Sequence, residues 1–285
     1  MDDNGNLAED HSALWNGVAG HQWVETQALL DRIFSPLEDL LVETLPAGRG
    51  ESLLDIGCGT GSTVLAAAGR LGPAGRATGI DISRPMIDAA RQRAEKARIA
   101  ADFICADAQR YRFEPEAYDR IQSRFGVMFF DGAVEAFSNI NLASTPGAPM
   151  RLLAWRSPAE NPFMTAAAEA AAPLLPELPE LQPDAPGQFA LADAGRTRNM
   201  LAAARWQDID IRPVDTPCRF DAAELSTYLA RLGPVGRILP GIEPGRREDV
   251  LAAIRPAFDR YVSGGEVRFT AACWLIEARA EGKRA

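Results

Sequence analysis

The sequence is poor in histidine and lacks paired cysteines. It contains two histidines, His11 and His21, and four cysteines, none of them in a CxxC or CxxH spacing. This pattern has neither the ligand spacing of a zinc site nor the density of a disulfide framework. We therefore expect a protein of a reducing compartment, without structural zinc or disulfide bonds.

Basic residues are outnumbered by acidic residues, and long apolar runs are scarce. The chain carries 30 Lys and Arg residues against 39 Asp and Glu residues, a formal net charge of −9. Such a surface repels phosphate, so neither DNA nor RNA is expected as the main substrate. No stretch of about 20 apolar residues lacks charge or proline, and the polar residues after Met1 are unlike a signal peptide. We expect a cytoplasmic protein that does not enter a membrane.

The pattern of apolar residues predicts an α/β fold. From Glu51 onward, short apolar runs alternate with helical periodicity, which is typical of βαβ units in a parallel sheet. Before that point, residues 22–45 are predicted to form two helices separated at Pro36. Seven strands are predicted, at residues 52–56, 77–80, 101–105, 118–123, 150–155, 208–214 and 267–278.

Changes in this pattern divide the chain into three parts. Residues 1–50 are predicted to form a helical lid, and residues 51–156 a Rossmann-like core that binds the ligand. Residues 157–285 continue the same sheet around two insertions, 157–190 and 221–265, the second with helical patterns at 221–232 and 247–262. We interpret the insertions as a substrate cap, with a homodimer interface as the alternative.

A glycine-rich loop carries the clearest functional signal. The run Leu53-Leu54-Asp55-Ile56-Gly57-Cys58-Gly59-Thr60-Gly61 closes a strand and opens a helix, as a nucleotide-binding loop does. Asp81 ends the next strand, where a carboxylate can accept hydrogen bonds from both hydroxyls of a ribose. Ser62 occupies the place of the third glycine in the dinucleotide fingerprint GxGxxG. This departure disfavours an NAD-type oxidoreductase, which remains the first alternative.

Three segments resemble motifs I, II and III of the class I S-adenosylmethionine (SAM) dependent methyltransferases. They are Leu54–Gly61, Gly79–Ser83 and Ala106–Ala108. The run Tyr118–Phe130 resembles the fourth-strand region of the small-molecule branch related to the ubiquinone and menaquinone C-methyltransferases. The resemblance implies a Rossmann-like, seven-stranded, mostly parallel sheet with an antiparallel last strand. It also implies SAM as the cofactor and a small organic metabolite as the methyl acceptor.

The resemblance assigns cofactor contacts to individual residues. They are Asp55, Gly57, Cys58, Gly59, Thr60, Gly61, Asp81, Ile82, Met86, Asp107, Ala108 and Ser123. In this arrangement Asp55 and the glycine-rich loop lie beside the methionine moiety, and Asp81 holds the ribose. Ile82 and Met86 flank the adenine.

Further contacts are expected near the adenine, near the sulfonium and at the walls of the pocket. Asp107 and Ala108 are expected to meet the amino group of the adenine. Ser123 or Arg124 is expected to line the space near the sulfonium. Trp15 and Trp23 have the shape of pocket walls that contact the ligand, with helix packing as the alternative.

Candidate catalytic residues are His21 and Arg124. If the segment around His21 is helical, Glu25 lies four residues on and could orient the imidazole as a base, although an exposed histidine is the ordinary alternative. Arg124 ends the fourth strand, at the edge where open α/β sheets bind ligands, with a salt bridge as the alternative. The transfer itself needs mainly proximity and orientation, because a sulfonium is already an activated methyl donor.

Two missing sequence patterns reduce the range of possible methyl acceptors. The fourth-strand segment lacks the Asn/Asp-Pro-Pro-Tyr/Phe signature of amino-methyltransferases that act on adenine or glutamine. Carboxylates with metal-ligand spacing are absent after strands four and five, so we expect a metal-independent reaction. The acceptor atom (oxygen, carbon, nitrogen or sulfur) stays open, and a catalytically silent SAM-binding protein is the second alternative.

Overall fold

A mixed β-sheet forms the centre of the molecule. The computed structural model describes residues 12–179, 182 and 185–282. The strands are β1 Ser52–Ile56, β2 Arg76–Asp81, β3 Asp102–Cys105, β4 Arg120–Arg124, β5 Pro149–Trp155, β6 Gln207–Asp221, β7 Val262–Ser263 and β8 Glu266–Arg279. Their order is β3-β2-β1-β4-β5-β8-β6, with β7 paired to β8. The first five strands are parallel, and β8 runs antiparallel to both β5 and β6.

Helices cover the sheet and its carboxyl edge. They are α1 Val18–Glu25, α2 Gln27–Val42, α3 Ser62–Leu71, α4 Arg84–Ala97, α5 Ala133–Ala143, α6 Pro162–Ala171, α7 Ala194–Ala203, α8 Leu225–Arg231, α9 Gly233–Ile238 and α10 Pro244–Ile254. Residues 12–16 are also helical. None of the helices in the described ranges combines the length and apolar character that a membrane span needs.

The predicted α/β fold is confirmed, with its mostly parallel sheet and antiparallel last strand. The structure adds the two-residue strand β7 to the seven predicted strands. It also lengthens β6, which pairs with β8 as far as Asp221 opposite Glu266. The helix predicted from residue 221 therefore begins only at Leu225, after Asp221 has accepted a hydrogen bond from the backbone N–H of Ala223.

The predicted helix break at Pro36 is wrong. Helix α2 runs through Pro36, and the break between the two N-terminal helices lies at Thr26. A proline inside a helix leaves the carbonyl four residues earlier without its N–H partner. Here the Ser35 hydroxyl donates to that carbonyl, on Arg32, at 3.4 Å. The apolar side of the same helix, which includes Ile33 and Leu37, is completely buried.

Helices α6, α8, α9 and α10 pack together at one end of the sheet, and we call these four helices the cap. Phe163 of α6 lies at their centre, and its ring stacks on Phe269 of β8 with 3.9 Å between centroids. The rings of Phe258 and Tyr261 meet Phe163 edge-on at 5.2 and 5.0 Å. An aromatic core thus fixes the cap to the antiparallel strands of the sheet.

Candidate functional site

The glycine-rich loop crosses the carboxyl ends of β1 and β2. The backbone N–H groups of Gly57 and Cys58 both donate to the Ile80 carbonyl, at 2.8 and 3.1 Å. Gly57, Gly59 and Gly61 have φ angles of +64°, +54° and +84°, in the region that other residues adopt only at a cost. The glycines therefore allow a turn that exposes the loop backbone to a ligand at the sheet edge.

Asp81 is tied to this loop by its side chain. One carboxylate oxygen accepts from the Gly59 N–H at 2.8 Å, and the other accepts from the Ser83 N–H at 2.9 Å. Burial raises the pKa of the Asp81 carboxyl, and the backbone N–H groups of Ser83, Gly59 and Ile82 oppose that rise. Each oxygen keeps a further lone pair, so the carboxylate can still accept hydrogen bonds from a diol.

Asp55 lies beneath the loop at the end of β1, fully buried. Its carboxylate accepts from the Gln122 side-chain amide at 2.8 Å. Desolvation raises the pKa of Asp55 to about 6, against the hydrogen bonds from Thr63 and Gln122 and the positive charge of Arg124. Burial also holds the pKa of the neighbouring Cys58 thiol well above its ordinary value, so this thiol stays protonated.

Arg124 reaches from the end of β4 towards the first turn of α3. Its guanidinium donates to the Ser62 hydroxyl at 2.9 Å and lies 3.7 Å from a carboxylate oxygen of Glu38. It also lies 5.7 Å from the ring centroid of Phe34. Desolvation lowers the pKa of Arg124, although the nearby carboxylates favour the charged form. The site thus contains a shielded cation with one long ion pair.

A small cavity lies between the glycine-rich loop and Arg124. Its volume is about 40 Å³. The residues that line it are Trp23, Leu30, Asp31, Phe34, Gly57, Cys58, Gly59, Thr60, Ser62, Thr63, Arg124 and Phe125. Both Asp31 and Arg124 face it, so its wall carries opposite charges.

Other expected cofactor contacts lie along the same edge. Ile82 follows β2, and the Met86 sulfur is 3.7 Å from the position that a Cβ on Gly59 would take. Asp107 follows β3 and accepts a hydrogen bond from the Gln109 N–H at 2.9 Å. Ala108 is buried beside it. The structure therefore brings the four expected segments to one edge of the sheet.

Ser123 does not face this cavity. It is fully buried, and its hydroxyl donates to the Ile56 carbonyl at 2.7 Å and accepts from the Gly126 N–H at 3.2 Å. These bonds join the loop after β4 to the end of β1. The Ser123 hydroxyl is thus bonded within the loop scaffold, and the contact with a cofactor expected of Ser123 or Arg124 stays a prediction.

The N-terminal segment covers part of the site. The ring of Trp15 meets Trp23 and Phe129 edge-on, with centroid distances of 6.0 and 5.2 Å, and Trp23 also lines the cavity. His21 is exposed on α1 and lies outside the cavity lining. Glu25 pairs with Arg231 of the cap, so the expected pairing with His21 is not formed. His11 lies outside the described residues.

Sequence reasoning missed four residues near the site. Asn16 donates to the Ile82 carbonyl at 3.1 Å and accepts from the Arg84 N–H at 2.8 Å, which joins the N-terminal segment to the loop after β2. Asp31 and Arg93 form an ion pair of 2.6 Å beside the cavity, and Gly126 touches Gly57. Each of these partners is distant in sequence, so local patterns gave no signal for them.

Comparison with known proteins agrees with this geometry. The family described as "Methyltransferase domain" matches residues 53–147, the segment that contains the loop, Asp55, Asp81 and Arg124. Residues 53–147 therefore resemble a methyltransferase domain. Its relatives include small-molecule methyltransferases, and the expected family resemblance is confirmed.

Two relatives show how far the likeness extends. Aklanonic acid methyltransferase DauC of Streptomyces sp. (strain C5) is 34% identical over 106 residues, 37% of this chain and 48% of DauC. Demethylmenaquinone methyltransferase of Staphylococcus aureus is 28% identical over 99 residues, 35% of this chain and 41% of that enzyme. The methyltransferase domain thus matches about half the length of these relatives or less.

Structural similarity to known proteins extends beyond the residues that match in sequence. The crystal structure of the YcgJ protein of Bacillus subtilis superposes with a TM-score of 0.58, covering 87% of this chain and 100% of that one. The two chains are 15% identical, so the agreement concerns the fold alone. The two chains therefore share a fold over most of the length of this chain.

Proposed function

We propose that the chain transfers a methyl group from SAM to a small, partly apolar organic metabolite. The observation that carries the proposal is the placement of the Asp81 carboxylate against the N–H of Gly59, at the carboxyl edge of the sheet. A methyltransferase domain with this acid and this loop has what a nucleoside cofactor needs, namely a diol acceptor and an exposed backbone. The names of DauC and the menaquinone enzyme support an acceptor of metabolite size.

The donor set around the loop fits SAM. Asp81 would accept from the ribose hydroxyls, and Ile82 and Met86 would flank the adenine, with Asp107 and Ala108 near its amino group. Asp55 and the Gly57–Gly61 backbone would lie beside the methionine moiety. Thr60 and Cys58 complete the loop.

Arg124 is proposed as a contact for the carboxylate of the methionine moiety. Its guanidinium already hydrogen-bonds Ser62 at the N-terminus of α3, where the helix dipole also favours an anion. The carboxylate of Asp31, across the same cavity, suits the ammonium group of an amino acid. The positive charge of Arg124 and the negative charge of Asp31 thus complement the carboxylate and the ammonium of a zwitterion.

Bound SAM supplies a methyl group on a positively charged sulfur. The residues of this chain then have to orient donor and acceptor and exclude water. Trp15 and Trp23 cover the site from the N-terminal side. Gln22 of α1 donates to the Gly236 carbonyl of the cap at 2.8 Å, so the two covers meet.

The N-terminal segment lies against this edge of the sheet, since Trp23 lines the cavity and Asn16 hydrogen-bonds to the loop after β2. We propose that residues 12–25 act as a lid, which moves to admit the cofactor and closes over it. The helices of the cap would enclose the acceptor on the opposite side.

Titration of the purified chain with SAM and with NAD by calorimetry tests the proposal. We expect SAM to bind and Asp81→Asn to weaken its affinity about 10- to 150-fold, because a charged acceptor of hydrogen bonds is lost. Asp102→Asn, an exposed acid on β3, is the matched control and should bind like the wild type. Tight binding of NAD would favour the oxidoreductase instead.

A second experiment measures the transfer of labelled methyl groups to a panel of organic acceptors. Turnover on any acceptor supports an enzyme, whereas SAM binding without turnover across the panel favours the catalytically silent protein. Equal SAM affinity in a folded Asp81→Asn variant would contradict the proposed placement of the ribose.

A further inference from the structure

Arg93 connects three segments around the glycine-rich loop. It lies on α4, and its Nη1 donates to the Thr60 carbonyl at 2.7 Å and to the Thr60 hydroxyl at 3.2 Å. Its Nη2 donates to the Asp31 carboxylate of α2 at 2.6 Å. The guanidinium of Arg93 therefore connects the glycine-rich loop to α4, which carries Arg93, and to α2, which carries Asp31.

This contact has the features of a strong ion pair. The side chains of Arg93 and Asp31 are 25% and 26% exposed, so the pair is screened less than one on the open surface. The planar guanidinium offers several donors in fixed directions, which allows it to bind the carboxylate and the carbonyl together. Gln27 also donates to Asp31 and fixes the direction of the carboxylate.

The loop needs such an external anchor. Gly57, Gly59 and Gly61 can adopt many backbone conformations, so the loop sequence by itself specifies its shape weakly. Because the peptide group is planar, a held carbonyl of Thr60 fixes the orientation of the peptide that leads into Gly61. The anchor thus reduces the freedom of the backbone that faces the cavity.

The same anchor sets the distance of α2 from the loop. One turn and two turns after Asp31, α2 carries Phe34 and Glu38, and both of these residues contact Arg124. If Arg93 holds Asp31, it indirectly holds the wall of the cavity opposite the loop. Its influence therefore reaches both sides of the proposed cofactor site.

We infer that Arg93 is a positioning residue, which orders the glycine-rich loop against α2 through Asp31 and thereby sets the affinity for the cofactor. The part that concerns affinity rests on the proposed function, whereas the part that concerns loop order rests on the contacts alone. Arg93 itself does not line the cavity, so no direct contact with cofactor is assigned to it.

Hydrogen exchange of the ligand-free chain tests the ordering. In Arg93→Met, the amides of residues 59–62 should exchange about tenfold faster than in the wild type, while those of β5 are unchanged. Arg93→Lys can keep the ion pair with Asp31 but has a single ammonium group in place of the planar guanidinium. Its exchange rates should therefore lie between those of the wild type and Arg93→Met. Asp31→Asn carries the same test if Arg93→Met does not fold.

Steady-state kinetics test the effect on cofactor affinity. We expect Arg93→Met to raise KM for SAM about tenfold with kcat within twofold, which general destabilisation would not produce. In the double variant with Asp31→Asn, the exchange rates of residues 59–62 in the ligand-free chain should be close to those of Arg93→Met alone, because both changes break one contact. Arg76→Met is the control, since Arg76 forms an exposed 2.8 Å pair with Asp102 in the same sheet.

The outcomes separate the two proposals. If the wild type does not bind SAM, the proposed function fails, and the exchange experiment still decides the role of Arg93. Unchanged loop exchange in folded Arg93→Met and Asp31→Asn would overturn the inference. So would effects on loop exchange that multiply in the double variant, since Arg93 and Asp31 would then act independently.

Discussion

Gly57 and Gly126 lie back to back where the loops after β1 and β4 meet. A Cβ on Gly57 would come 2.5 Å from the Cα of Gly126, and a Cβ on Gly126 would come 2.4 Å from the Ile56 carbonyl oxygen. Neither position accepts a side chain unless backbone moves. The approach of these loops brings Arg124 next to the glycine-rich loop.

Gly57→Ala should therefore destabilise the fold as well as the site. The φ of +64° at Gly57 costs an alanine about 1 kcal/mol, and the overlap with Gly126 adds about 1–3 kcal/mol. Urea unfolding measures the total change. Gly48→Ala is the control, because Gly48 has a φ of +71° with no atom within 4 Å of the added Cβ. Equal losses in both variants would show that the contact with Gly126 is unimportant.

The raised pKa of Asp55 predicts a pH-dependent stability. Its value rises from 3.8 to about 6 on folding, so the folded state favours the protonated acid. The folded state consequently carries no penalty from Asp55 below about pH 4, whereas the penalty grows between about pH 4 and pH 6 and is nearly constant above that. At pH 7.5 the penalty amounts to about 3 kcal/mol.

Asp55→Asn isolates this effect, because asparagine keeps the shape and can still accept from Gln122. The free energy of unfolding of the wild type, relative to Asp55→Asn, should fall between pH 4.5 and pH 7.5. Asp102→Asn, at an exposed position, should not change the pH dependence. Parallel pH profiles for wild type and Asp55→Asn would disprove a raised pKa at Asp55.

The proposed lid depends on Asn16. Asn16→Ala removes two hydrogen bonds to the loop after β2, worth about 1–3 kcal/mol together. We expect amide exchange in residues 12–25 to accelerate about tenfold, with turnover reduced more than SAM affinity. Val18→Ala, on an exposed site of α1, is the control. If exchange in this segment is unaffected by Asn16→Ala, these bonds do not hold the lid.

Arg124 and His21 should differ strongly in their importance. Arg124→Met removes a shielded cation from the cavity and should weaken SAM affinity about 10- to 100-fold. His21→Gln should change kcat less than threefold at pH 7.5, because the imidazole is exposed on α1. Calorimetry and initial rates measure the two effects. A loss of turnover in His21→Gln without loss of SAM affinity would restore His21 as the base.

The cap should determine the acceptor. Exchange of residues 157–190 and 221–265 for those of a related methyltransferase should transfer acceptor preference and leave SAM affinity unchanged. The stack of Phe163 on Phe269 has to be retained, since it joins the cap to β8. Light scattering of the exchanged protein checks the alternative. A changed oligomeric state with unchanged preference would identify the insertions as an interface.

The sequence was most informative where the relevant contacts are local. Alternating apolar runs predicted the strands, and glycines beside an acid predicted the loop, because both signals lie within a few residues. The anchor from Arg93 to Thr60 and Asp31 spans 33 and 62 residues. The path of α2 through Pro36 depended on the Ser35 hydroxyl and on buried packing, and neither is encoded by the proline itself.

The position of β8 has a consequence for synthesis on the ribosome. In the part of the chain that the structure describes, β6 hydrogen-bonds to β8, which begins at Glu266, 45 residues after β6 ends at Asp221. Strands β1–β5 can pair as they emerge, whereas β6 has to wait with its edge exposed until β8 is made. A nascent chain stalled just before Glu266 should therefore protect β1–β5 from proteolysis and leave β6 open to chaperones.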